Sequence, residues 1–370
     1  MKNILIAIRS IFKKGRHNVM KIVSLGIGLA VGLVLIAKVY FEQSYDDFYP
    51  DRDRVYQVWA KYQQNGGELK DYPQTSGGIA PTMQQQIPEI ETVTRYTSFG
   101  DWTFTMTDTK MKYSGRCIIA DSCFFDILPR PMLIGNAKEV LSTPMYVLVS
   151  SRIAKNIGGD VIGKNFTVDS SPGRTMTIGG VFEEVPENSH SRYDVIVSMA
   201  SAGRFMWEGS PTNMLGNDRY ISYVKLHKGV NPLALEEQVH TFVNSYFPPE
   251  EQQKTGFNIG FSFHELDGLH KELPQVKRMT WILSLLAFAL IFTAVMNYIL
   301  IVISSIVNRS KEVAVHKCYG ASENNIHGMM FGEALVHIVL SLILALLLIL
   351  AFRGYGRGVV GDFVRFLALV

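Results

Sequence analysis

The stretch WILSLLAFALIFTAVMNYILIVISSIV (281–307), then NRSKEVAVHKCYGA (308–321), then ALVHIVLSLILALLLILAF (334–352) decides the fold. Its first part runs 27 residues without Asp, Glu, Lys or Arg. As a helix rising about 1.5 Å per residue it reaches roughly 40 Å. That exceeds the ~30 Å hydrocarbon core of a bilayer, so the segment crosses and protrudes on one side. The last part has 19 residues, with His337 as its one ionisable side chain, enough for another crossing. The polar connector between them carries its own helical pattern and is placed to touch a partner at the membrane surface.

Working outward, residues 1–21 hold Lys2, Arg9, Lys13, Lys14, Arg16 and Lys21 and no acid. Ile4, Leu5, Ile8, Ile11 and Phe12 share one helical face. A basic amphipathic segment of this kind lies in the cytoplasmic membrane interface. Ile22–Phe41 is the first span, read as an uncleaved signal-anchor because no small-x-small cleavage site follows it. Lys38 near its outer end can snorkel to the headgroups. Gly28 and Gly32 form a G-x-x-x-G, two residues beyond Gly26, which marks a face for close helix packing. The basic flank puts the N-terminus in the cytoplasm. Residues from 42 to about 277 then lie outside, and the connector lies inside.

The external region alternates as a mixed α+β domain with room for a core of its own, in two lobes. Strands are expected at 54–62, 93–96, 102–107, 111–113, 145–149, 165–168, 175–181, 193–197, 220–226 and 258–263. Helices are expected at 81–86, after Ser122, at 150–156 and at 232–246, with turns at Asn65-Gly66-Gly67 and Gly158-Gly159. The fold class is thus an α+β extracytoplasmic domain inserted between transmembrane α-helices. Net charge is only +3, too small to point to nucleic acid. Cys117 and Cys123 can pair outside the cytoplasm or stand as buried thiols, and with Cys318 they match no metal spacing.

Chemistry-bearing patterns are few. Gly158–Asn165 is one residue from a phosphate loop, G-x-x-x-x-G-K-[ST], but Asn165 replaces the hydroxyl and a helix rather than a strand precedes it. It reads as a helix stop and a turn. Glu183, Glu184 and Glu187 surround Pro186 in a solvated turn, and His264, Glu265 and His270 belong to the surface. No metal, cofactor or catalytic residue is expected, and the chain is not read as an enzyme.

In the connector, Arg309, Lys311, Glu312, His316 and Lys317 face water or a partner while Val313 and Val315 pack; Gly320 stops the helix and Ser322 caps the next. A rigid charged turn tied to two membrane helices can pass a push in either direction. From Asn297 through Ser305, Arg309, Lys311-Glu312, His316-Lys317 and Gly320-Ala321 to Phe331 and Glu333-Ala334, the sequence resembles the MacB/FtsX-like permeases of ABC transporters, with His316 where Arg is commoner. Phe124-Phe125-Asp126, Leu133-Ile134-Gly135, Ile162-Gly163-Lys164 and Gly180–His190 are similar to that family's periplasmic core domain.

The resemblance implies three parts: 1–41, an interfacial helix and first span; 42–277, the periplasmic core domain; and 278–370, the permease region. That last region has two of its three expected further spans, so the chain resembles the first module of a two-module permease. The implied coupling residues are Arg309, Lys311, Glu312, His316, Lys317, Gly320 and Ala321. The implied partners are a cytoplasmic ABC-type ATPase, a second permease module in a homo- or heterodimer, the inner-membrane bilayer and a periplasmic protein. Two functions follow: mechanotransmission that exports or extracts an amphiphilic or peptide substrate, or signalling to an external partner such as a cell-wall hydrolase.

Overall fold

A computed structural model describes residues 18–308, Val315, Cys318 and 323–352. Two compact units result: Tyr45–His270, and the chain on either side of it. The folded unit is thus a few residues shorter at each end than 42–277.

Within Tyr45–His270 the strands β1 (Val55–Gln64), β3 (Ile90–Met106), β10 (Ile221–Leu226) and β11 (Phe257–Glu265) pair antiparallel in the order β11-β1-β10-β3. Ile79–Gln86 connects β1 to β3, and Glu236–Tyr246 connects β10 to β11. This is a split βαβ pair of the ferredoxin-like kind. Both helices bury one side on the same sheet face: Ile79, Ala80 and Met83 from the first, and Val239, Phe242 and Val243 from the second, meet Tyr56, Val58, Val93 and Val224.

The second lobe is inserted between β3 and β10. Its strands β4 (Lys112–Ala120), β9 (Val195–Ser198), β6 (Tyr146–Ser150), β8 (Ser171–Phe182) and β5 (Met132–Ile134) continue the same sheet. Off this path, β2 (Lys70–Tyr72) pairs β1, and β7 (Asn165–Val168) pairs β3 and β8. β4 pairs β9 in parallel, and β6 pairs β8 in parallel. Parallel neighbours need crossovers that cover the faces, so these strands read as unbroken apolar runs. Accordingly Cys117, Ile119, Val147, Val149, Val195 and Val197 fill one side. Ile118, Ala120, Leu148 and Ile196 fill the other, against Phe124, Leu128 and Phe182.

Several expected boundaries move. The strands expected at 93–96 and 102–107 are one strand, β3, whose register with β4 shifts between Ser98 and Asp101. β4 runs on to Ala120, well past Tyr113, because its C-terminal half is buried on both faces. The turn of helix at Phe124–Ile127 is preceded by Cys123 at its N-cap, and no side chain caps it, so Ser122 does not. By contrast Ser150 caps Ser151–Ile157, its hydroxyl accepting from Ile153 N–H at 3.4 Å. Cys117 is buried in the core and the Cys123 thiol turns to Val93 O at 3.1 Å; all three cysteines are free.

The other unit contains three apolar helices: Asn18–Gln43, Pro274–Asn308 and Glu323–Phe352. Each is long and apolar enough to cross a membrane, through Asn18–Gln43, Pro274–Ser304 and Met330–Ala351. All three extend beyond the apolar runs that announced them, the second starting at Pro274, since proline is at ease in a first helical turn.

Candidate functional site

The first membrane helix is the one on which the other two pack. An added Cβ at Gly28 would collide with Ala294 Cβ, and one at Gly32 with Ile291 Cγ1. Both neighbours lie on Pro274–Asn308, whose Ala287 and Ala294 are buried. Rising positions on one helix meet falling positions on the other, so the two run antiparallel. Gly26 faces the third helix: its added Cβ would stand 2.9 Å from Leu344 Cδ2. Ser341 Oγ donates to Ile22 O at 3.1 Å. Here the positions rise together, so the first and third helices run parallel. Such contacts depend on missing Cβ atoms, because lipid supplies no hydrophobic drive for helices to associate.

His337 is buried in this unit, its ring edge-on to Tyr298 of the second helix with centroids 6.3 Å apart. Arg309, Lys311, Glu312, His316, Lys317, Gly320 and Ala321 lie outside the described residues. Of the connector, Asn308, Val315 and Cys318 are described and helical; Val315, expected to pack, is exposed, as is Cys318.

In the folded unit, a buried polar network gathers where the chain enters from the first helix. Asp46 is 1% exposed. Its carboxylate accepts from the Ser189 hydroxyl at 3.1 Å, from His190 N–H at 3.2 Å and from His190 Nδ1 at 2.8 Å. With that proton on Nδ1, Nε2 is left to accept from the Tyr223 hydroxyl, 2.5 Å away. Tyr223 stacks on Tyr96, and the Tyr96 hydroxyl meets Ser191 Oγ at 2.7 Å. Burial pushes the Tyr223 and Tyr96 hydroxyls up in pKa, so both stay protonated, Tyr96 accepting from Ser191. Carboxylate, imidazole and hydroxyl stand in the series that activates nucleophiles in hydrolases. Tyr223 is 0% exposed, however, so no substrate can reach its oxygen, and the network is a tether. No sequence pattern announced it, since Asp46, His190 and Tyr223 are far apart in the chain.

The patterns set aside as chemistry resolve into structure. Around Gly158–Lys164, Gly158 N–H donates to Ala154 O, Ile162 N–H to Asp160 Oδ1, Gly163 N–H to Ile178 O and Lys164 N–H to Val161 O. Lys164 Nζ turns back onto Gly158 O at 3.3 Å. Four of the loop's amides and its lysine are thus engaged inside the domain, as a helix stop and turn require. Glu183 pairs with Arg130 at 2.7 Å and Glu184 with Arg152 at 3.4 Å. Glu184 and Glu187 line a cavity of about 430 Å³ with Arg116, Arg152, Arg192 and Asp194. No group of three metal-ligating side chains occurs among the described residues.

His264 stacks on Trp59 with centroids 4.1 Å apart. Burial holds its pKa below the ordinary histidine value. Folding therefore favours the neutral ring, and the stability it contributes is present above about pH 6.5 and is lost as pH falls through the lower folded-state value. His264→Phe keeps the stack and should flatten the acid side of a plot of unfolding midpoint against pH. An unaltered slope would show that another group sets it.

The MacB-like periplasmic core domain family matches residues 20–242, and the FtsX-like permease C-terminal family matches residues 284–356. No curated protein matches the chain. Among solved structures, a domain of a protein described as a permease, from Porphyromonas gingivalis, is 32% identical with a TM-score of 0.54, covering 59% of this chain and 91% of that one. The periplasmic region of MacB from Actinobacillus actinomycetemcomitans is 13% identical, with a TM-score of 0.40, over 59% of this chain and 92% of that one. The extracellular domain of the ABC-type transporter YknZ from Gram-positive bacteria is 10% identical, with a TM-score of 0.39, over 55% and 98%. With a MacB-like core domain matching more than half its length and an FtsX-like region following, this chain belongs to the MacB/FtsX-like family of ABC-transporter-type permeases.

Proposed function

We propose that this chain is a permease subunit that couples ATP hydrolysis by a separate cytoplasmic ATPase to movement of its periplasmic domain. The movement exports or extracts an amphiphilic or peptide substrate. The N-terminus and connector lie in the cytoplasm, the domain lies in the periplasm, and a second permease module completes the assembly in the inner membrane. The observation that carries this reading is the arrangement of the chain: a folded domain inserted between the first two of three helices, which pack in alternating direction. A helix pair packed through glycines moves as one body, since small residues let the backbones touch. We assign Arg309, Lys311, Glu312, His316, Lys317, Gly320 and Ala321 to the charged segment that the ATPase grips. Glu312→Lys together with Lys317→Glu reverses its charge pattern without changing its net charge. The double variant should insert normally yet lose nearly all ATP-driven domain movement, measured in the complex that co-purifies with the ATPase. Full coupling in that variant would remove the connector from the mechanism.

A further inference from the structure

The domain holds its first residues harder than a linker requires. Asp46 comes three positions after Gln43, the last residue of the first helix. Its φ of +59° lies in the left-handed region, where aspartate is among the few side chains tolerated. Its N–H donates to Asn188 O at 2.9 Å. Its buried carboxylate takes up the Ser189 and His190 donors already described, and His190 is in turn held by Tyr223. Surface connections are ordinarily mobile. A carboxylate buried with several donors is the opposite case, because withdrawing one partner leaves a charge without compensation. The chain leaving the domain is fastened at the same end: His270 stacks on Tyr45 with centroids 3.4 Å apart, and Arg52 bridges Asp47 at 3.3 Å and Asp267 at 3.1 Å.

We infer that the Asp46–His190 contact is the joint through which movement of the first helix passes into the periplasmic domain. The inference rests on the coupling function proposed above. A slack connection would lengthen or swivel and absorb a displacement. A connection pinned within three residues of the helix end transmits it. Asp46 and His190 are positioning residues, and neither touches a substrate.

The test uses the whole chain with its co-purifying ATPase in lipid nanodiscs. Lys138→Cys, at an exposed site in the domain, carries a donor dye; Cys318→Ser removes the exposed native thiol, and acceptor lipids report the height of the domain. Adding ATP should change energy transfer in the parent protein. His190→Ala should shrink that change at least about fivefold while hydrolysis stays within about twofold, since the lost charge-assisted bond acts on the domain and not on the ATPase. His190→Asn, which retains a donor near the Nδ1 position, should restore most of the change. A merely structural histidine would lower the melting temperature and leave the ratio of movement to hydrolysis unaltered. If His190→Ala fails to fold, Asp46→Asn, which tolerates the same backbone, is read in its place with the same loss expected. An ATP response equal to the parent's in a folded joint variant overturns the joint and leaves the coupling function standing. No ATP response in the parent protein overturns both.

Discussion

Gly28→Ala should weaken the membrane unit by roughly 2 kcal/mol, because the new methyl has nowhere to go in a packed interface. The direction is the informative part. In a helix interior alanine is favoured over glycine by about 1 kcal/mol, so a change judged by propensity alone would stabilise. The Cβ would collide with Ala294 Cβ, which sits on the packed face of the second helix and cannot swing away as the end of a long side chain could. Ala294→Gly added to Gly28→Ala moves the methyl from one helix to the other and should recover most of the loss. Ile27→Ala, at a half-exposed position beside it, should do little. Thermal loss of the monodisperse species in detergent reads all four proteins. A double variant no better than Gly28→Ala would show that the close approach does not govern association.

Arg95→Met should have the largest effect in the folded domain. The Arg95 guanidinium is buried, with Nε 3.2 Å from Asp121 Oδ2 and Nη1 donating to the carbonyl oxygens of Gly77 and Pro211. It ties the sheet to two loops. Removing one partner of a buried pair costs about 3–5 kcal/mol, because the other charge stays behind. Burial already raises the Asp121 pKa, and Arg95 is the group that opposes this rise. An acid whose folded-state pKa lies above its unfolded value contributes most at low pH and loses that contribution as pH rises. The variant removes the opposing guanidinium, so its deficit should be smaller in acid than at neutral pH. A deficit independent of pH in denaturant unfolding would mean that the carboxylate finds another cation.

Much of this architecture is legible in the chain because membranes and sheets impose strong periodicities. Apolar runs as long as 22–41 and 281–307 read as membrane helices, and β-branched runs such as YVLVS and VIVS, bounded by turn signals, read as strands. Gly28 and Gly32 stood out through their spacing alone. What escaped depends on contacts between distant residues. The bulge that lets β3 continue through Phe99-Gly100 looks locally like a turn. Met132–Ile134 is too short to carry a pattern and becomes a strand only by pairing with β8. The Asp46–His190–Tyr223 series was invisible for the same reason: neither a lone aspartate after a helix nor a histidine after Asn188-Ser189 declares its partner.

The stacking of Tyr45 on His270 means that the two ends of the insertion meet. A domain whose termini adjoin can be lifted out of its host chain with little disturbance to what remains. Exchanging Tyr45–His270 for the corresponding body of a distant relative would therefore make a chimera whose helices need not be redesigned. The same exchange lets the folded domain vary while the three helices are kept.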